Sequence, residues 1–286
     1  MTSDRTAPDV IPAQAAISPM PRPDPRLRWD DGCSLDAVRP RAAASVWLAL
    51  GLALLLAGCS GSWYVVDPTL PNGRTNLYFM LSGFWYTILL SFTALMISLP
   101  GALLIGLCGL SSNRALNTIY RVYVEVVRAI PLLVLILWVY YGLPDLDIRI
   151  ALFWSGVIAL AIGESAFMAE VIRGGIQSVP RGQIEAAKAI SLNYIDTMRY
   201  VILPQAIRRI LPAMGNQFIY VVKMSALVSV IGAPELTRKA NELIVTEYRA
   251  LEIYTILALE YLVLVLILSA GVRWLERRMG ADERKA

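Results

Sequence analysis

Long stretches without a single charge decide what this chain can become. Residues 42–66 and 75–113 contain no Asp, Glu, Lys or Arg, and further apolar runs follow at 129–144, 150–163, 210–222 and 261–272. A hydrocarbon core about 30 Å thick is crossed by about 20 apolar residues in helical form. With 57% hydrophobic and only 17% charged residues, the chain reads as an all-α, polytopic membrane protein rather than one or two soluble domains. About six spans are expected, near 42–66, 84–110, 129–144, 150–172, 211–231 and 253–272.

Individual residues qualify these spans. Pro100 and Gly101 fall in the middle of the second, where a membrane bundle can still satisfy the freed backbone groups. The third has an amphipathic lead. Arg121, Glu125 and Arg128 recur at i, i+4 and i+7 and so share one helical face. Between 234 and 252 the chain is polar but helix-capable, and Trp274 to Arg278 forms a basic amphipathic ending.

Residues 1–42 hold seven of the sixteen prolines with six arginines and six aspartates. Such a segment buries too little apolar surface to offset its ordering entropy, and a disordered tail is expected. Leu56-Ala57-Gly58-Cys59 has the form of a lipoprotein cleavage box. A signal peptide, however, has a short basic leader and lies within the first 15–30 residues, so 43–66 is expected to be an uncleaved extra helix. Cys33, Cys59 and Cys108 are not spaced as a disulfide framework. The chain has no histidine. That absence removes His-dependent hydrolysis, most zinc catalysis and histidine proton relays; the Gly58-Cys59-Ser60-Gly61 string therefore lacks the base a serine nucleophile would need. No cofactor and no metal is expected, and the net charge of +4, gathered at membrane flanks, does not indicate nucleic acid.

Lys and Arg are distributed unevenly. The amino tail, the 111–128 loop, the 173–209 loop and the carboxyl tail together carry 20, against five in the loops of the opposite side. By the positive-inside rule both termini and the 173–209 loop face the cytoplasm. Within that loop Pro180 suits a helix first turn, Ala186, Ala187 and Ala189 leave a low surface beside Glu185, and Asn193 with Asp196 forms a capping pair for a second short helix. Leu203-Pro204 is expected to end that helix and begin the next. The result is a helix–turn–helix on the membrane surface, suited to a cleft in a soluble partner.

Gly182-Gln183, Glu185-Ala186-Ala187 and Leu203-Pro204, flanked by Ala169-Glu170-Val171-Ile172-Arg173-Gly174-Gly175-Ile176 and Gln205-Ala206, resemble the Glu-Ala-Ala loop of the membrane subunits of ABC importers, in the polar amino acid branch. The resemblance covers about residues 84–278. It implies a five-helix permease domain with an added amino-terminal helix, and a coupling loop at 178–210 that meets separate ATP-binding cassette ATPase subunits. It also implies a second permease copy or paralogue, an extracytoplasmic solute-binding protein and a polar amino acid substrate. The chain itself has no GxxxxGK[ST] phosphate loop. Two departures stand out. Ser191 replaces the family's glycine, and Lys223-Met224-Ser225-Ala226-Leu227 replaces Lys-Asp-Thr-Ser-Leu. Arg128-Ala129-Ile130-Pro131 is likewise similar to an Arg-Gly-Thr-Pro element.

Ionisable residues inside a span are expensive and mark cavities or partners. Glu164, Lys223 and Glu260 qualify, with Ser225 as a further polar candidate. At ~1.5 Å rise per residue, Lys223 and Glu260 fall at similar depth, about 18 Å from the cytoplasmic end, and are expected either to pair or to flank a zwitterion. The rival reading, a self-sufficient secondary transporter, would need an inverted repeat and broken midspan helices. An intramembrane enzyme is disfavoured because no Asp falls mid-span, the Gly58-Cys59-Ser60-Gly61 string lacks its base and the sequence shows no metal cluster.

Overall fold

The computed structural model describes residues 63–278, and these are helical with no strand. The expected tail, Cys59 and nearly all of the expected first span lie outside the described residues. Trp63–Val65 is a 3-10 turn. Among the described residues, nine α-helices of six residues or more follow: α1 Pro71–Leu81, α2 Phe84–Leu110, α3 Arg114–Ala129, α4 Leu132–Leu137, α5 Leu152–Gln177, α6 Arg181–Ala189, α7 Leu203–Met224, α8 Leu236–Glu247 and α9 Ala250–Arg278. Four helical stretches are long and apolar enough to cross a membrane, or five if the bent pair α3 and 132–146 counts as one.

The pairing of α2 with α5 is the most extensive helix contact. Ala94, Ser98, Ala102 and Gly106 recur every fourth residue and are all buried. Small residues let membrane helices approach closely, where lipid supplies no hydrophobic drive. A Cβ on Gly106 would lie 3.1 Å from the Ala169 carbonyl oxygen of α5. The α2 helix runs through Pro100 without interruption. Around this pair, one apolar cluster gathers Leu90, Ile136, Val157, Leu160 and Val228. A second, at the end bearing α6, gathers Ala102, Tyr120, Val124, Met168 and Ile210. A third joins α1, α8 and α9 through Met80, Leu236, Leu243, Ile253 and Leu257.

The third span departs from expectation. The apolar run at 129–144 does not continue α3; the chain turns by 93° between Ala129 and Leu132. A residue before proline is driven out of the helical region, and Ile130, preceding Pro131, is extended at ψ 122°. α3 itself is amphipathic, capped by Asn113, whose side chain accepts from Ala115 N at 2.9 Å. A π turn then carries Trp138–Gly142.

Two helices frame the end opposite α6. α1, absent from the expectations, begins with proline in its first turn. α8 packs on the start of α2, where a Cβ on Gly83 would sit 2.7 Å from the Glu235 and Leu236 backbone. Thr87 Oγ1 accepts from Leu236 N at 3.2 Å. The 3-10 segment Ser225–Ile231 ends at Gly232, whose φ of 95° only glycine adopts at no steric cost. Glu235 then caps α8, its Oε1 accepting from Arg238 N at 2.7 Å and its Oε2 from Tyr261 Oη at 2.9 Å. α9 is long, and only 11% of its most apolar window is buried.

Candidate functional site

Two places concentrate the singular chemistry: the α6 loop and a cavity at the bend before α4. In the loop, α6 starts at Arg181 directly after Pro180. Ala187 faces inward at 3% exposure, while Gly182, Gln183, Glu185 and Ala186 face out. The helix closes with a Schellman pattern: Ser191 N donates to the Lys188 carbonyl at 2.9 Å, and Leu192 N to the Ala187 carbonyl at 3.1 Å. That pattern requires a left-handed residue, usually glycine, and Ser191 takes it at φ 59°. The serine adopts the glycine geometry rather than rewinding the turn.

Asn193 caps the next turn as expected, accepting from Asp196 N at 2.8 Å. As expected, α7 begins at Leu203 with Pro204 in its first turn, but no break separates it from the preceding turn. A π turn at Thr197–Ile202 leads straight into α7, with Leu203 N reaching back to the Met198 carbonyl. Pro204 has no N–H to donate, and the wider i→i−5 turn accommodates it. Gln205 Nε2 satisfies the Val201 carbonyl at 3.0 Å. Leu203 and Pro204 are both exposed. Arg209 ties the loop to the end of α5, its guanidinium donating to the Ser178 carbonyl and, at 2.9 Å, to Ser178 Oγ.

Sequence reasoning missed the apolar part of this surface. Ile190 is 73% exposed, Tyr194 76% and Ile195 73%. Three large apolar side chains clustered at the turn of a charged loop are a docking signature, since exposed apolar clusters mark interaction sites. Their signal lay in the sequence as apolar residues punctuating a polar segment.

The cavity is lined by Arg128 and Pro131 at the bend, by Glu164 and Phe167 of α5, and by Tyr220 and Met224 of α7, among others; its volume is about 190 Å³. Clefts for drug-sized ligands run to about 300–1,000 Å³, so this one suits a single small solute. Glu164 is 4% exposed. Its Oε2 accepts from Gln217 Nε2 at 3.0 Å, while its Oε1 is buried without a partner. A buried carboxylate held by one amide is poorly compensated. At the mouth, Arg128 Nη1 meets Glu170 Oε2 at 2.5 Å, both side chains being about 40% exposed, and its guanidinium lies 5.0 Å from the Phe167 ring centroid.

The other expected path residues do not gather there. Lys223 and Glu260 form no ion pair among the described residues. Lys223 is exposed, and both Glu260 carboxylate oxygens are buried without a hydrogen-bond partner. Sequence spacing fixes neither the rotation of each helix nor which way these two side chains face. Ser225 is fully buried and spends its hydroxyl proton on the Val222 carbonyl at 2.8 Å.

Residues 98–281 match the family described as binding-protein-dependent transport system inner membrane component. The glutamine transport system permease protein GlnP of Escherichia coli (strain K12) is 37% identical over 76% of this chain and 97% of its own length. The arginine transport system permease protein ArtQ of Bacillus subtilis (strain 168) is 36% identical over 72% of this chain and 95% of its own. A solved amino acid ABC transporter with histidines superposes with a TM-score of 0.68 at 43% identity, covering 72% of this chain and 96% of that one.

Proposed function

The chain belongs to the binding-protein-dependent transport system inner membrane components and is a multi-pass permease subunit of an ABC importer; from that premise we propose how it is driven and what it carries. The α6 loop docks in a cleft of an ATP-binding cassette ATPase subunit, which supplies the hydrolysis. The observation carrying this is the outward face of Gly182, Gln183, Glu185 and Ala186 beside exposed Ile190, Tyr194 and Ile195. The low alanine surface lets a partner backbone approach, and Glu185 fixes register by charge. Closure of the ATPase on ATP would press this loop, and the stiff π turn and α7 would pass the motion to the spans.

The excess of Lys and Arg on the α6 side supports a cytoplasmic position for that loop and both termini. The α1 and α8 end then faces outward and receives substrate from a solute-binding protein. The substrate is a polar amino acid or close analogue, and Glu164 marks its path. Lys223 is exposed within a span, where hydrocarbon penalises an ammonium. We assign it to the interface with a second permease copy or paralogue, which together with this chain encloses the path.

Ala186→Trp tests the docking. The bulky ring stands on an exposed position, so the purified chain keeps its wild-type melting while co-purification of the ATPase falls about tenfold or more. Full retention of the ATPase by that variant would place the contact elsewhere.

A further inference from the structure

Resting on the reading of this cavity as part of a substrate path, the geometry points to a cationic amino acid as its occupant, selected by Glu164. The lining carries one carboxylate and one guanidinium, Glu164 at depth and Arg128 at the mouth, and Arg128 is paired with Glu170 just beyond the lining. The mouth is neutral as a pair. The deep carboxylate has one amide donor, no opposite charge among its described hydrogen-bond partners, and an open acceptor at Oε1. A ligand of net positive charge completes that tally, whereas a neutral zwitterion leaves a buried carboxylate without an opposite charge.

Spacing supports the same class. Glu164, Phe167 and Glu170 recur at i, i+3 and i+6, so Glu164 and Glu170 are separated by about 9 Å along α5. An α-ammonium and its own carboxylate share one carbon and cannot reach both ends. A long side chain ending in an ammonium or guanidinium can. The α-carboxylate meets the guanidinium fork of Arg128, which spends Nη1 on Glu170 and has five N–H donors in all. The α-ammonium faces Glu170, the aliphatic stem lies along Phe167 and Met224, and the terminal cation reaches Glu164 Oε1.

The test is equilibrium binding of radiolabelled lysine, arginine, glutamine and glutamate to the full chain in lipid nanodiscs, without the binding protein, for wild type and Glu164→Gln. Wild type is expected to hold lysine or arginine about tenfold tighter than glutamine, and Glu164→Gln to weaken lysine and arginine binding until that preference is gone. The wild-type ranking decides the matter even if the variant fails to fold. Glutamine bound as well as lysine, or a preference that survives Glu164→Gln, overturns the inference and leaves the importer reading in place. Absence of all binding, with ATP-driven uptake of an amino acid intact, also overturns it; absence of uptake as well would remove the amino acid reading itself.

Discussion

Ser191 occupies a left-handed position that costs an L-residue about 1–2 kcal/mol, and among the described residues its hydroxyl makes no hydrogen bond to offset it. The backbone bonds from Ser191 and Leu192 to the end of α6 hold it there. Replacing it with glycine removes the steric cost, less the entropy glycine adds to the unfolded chain. Ser191→Gly is therefore expected to raise loop stability by about 0.5–1 kcal/mol, read as slower amide exchange at Ser191 and Leu192. Faster exchange would mean that the serine side chain contributes something the backbone geometry does not reveal.

At the scale of elements, Glu235 joins three helices. It caps α8, accepts from Tyr261 of α9, and sits beside the Leu236 amide that Thr87 of α2 binds. Burial pushes its carboxyl up to about 7, with the hydrogen bonds from Thr237, Tyr261 and Arg238 opposing. A carboxyl whose folded pKa lies above its unfolded value favours the protonated folded state. Its stabilising contribution is complete below about 4.5 and is lost as pH rises through about 7. Hydrogen exchange in α8 should therefore accelerate between pH 5 and pH 8 beyond the intrinsic chemical rate, and Glu235→Gln should flatten that dependence. An unchanged profile in the variant would assign the dependence to another group.

The elements also show what the sequence made legible. The helices α2, α5 and α9 were readable because long apolar runs with few charges have few alternatives, and the Asn193 cap because side chain and spacing coincide. The α1 helix was not, since Pro71 to Leu81 mixes polar and apolar residues without a clear period. The bend at Ile130-Pro131 hid inside an uninterrupted apolar run; proline's effect on its predecessor outweighed the hydropathy. The π turn at Thr197–Ile202 is a hydrogen-bond register, which composition does not encode. At the site, the motif face of α6 and Glu164 were readable, while the separation of Lys223 from Glu260 depends on helix rotation that depth alone leaves open.

For the whole molecule, a bundle of apolar helices carries a charged loop with an apolar tip and a small cavity lined by Glu164 and Arg128. The sequence holds no GxxxxGK[ST] phosphate loop, and the α6 loop is the proposed entry point for force. The 20-to-five distribution of Lys and Arg supports the proposed cytoplasmic position of that loop. The most direct test is uptake into proteoliposomes that hold the chain with its co-purifying ATPase, with binding protein and labelled amino acid outside and ATP inside. The account predicts ATP-dependent accumulation that vanadate abolishes and Ala186→Trp reduces to background. Accumulation by the chain alone, without ATP or ATPase and driven by an ion gradient, would contradict it.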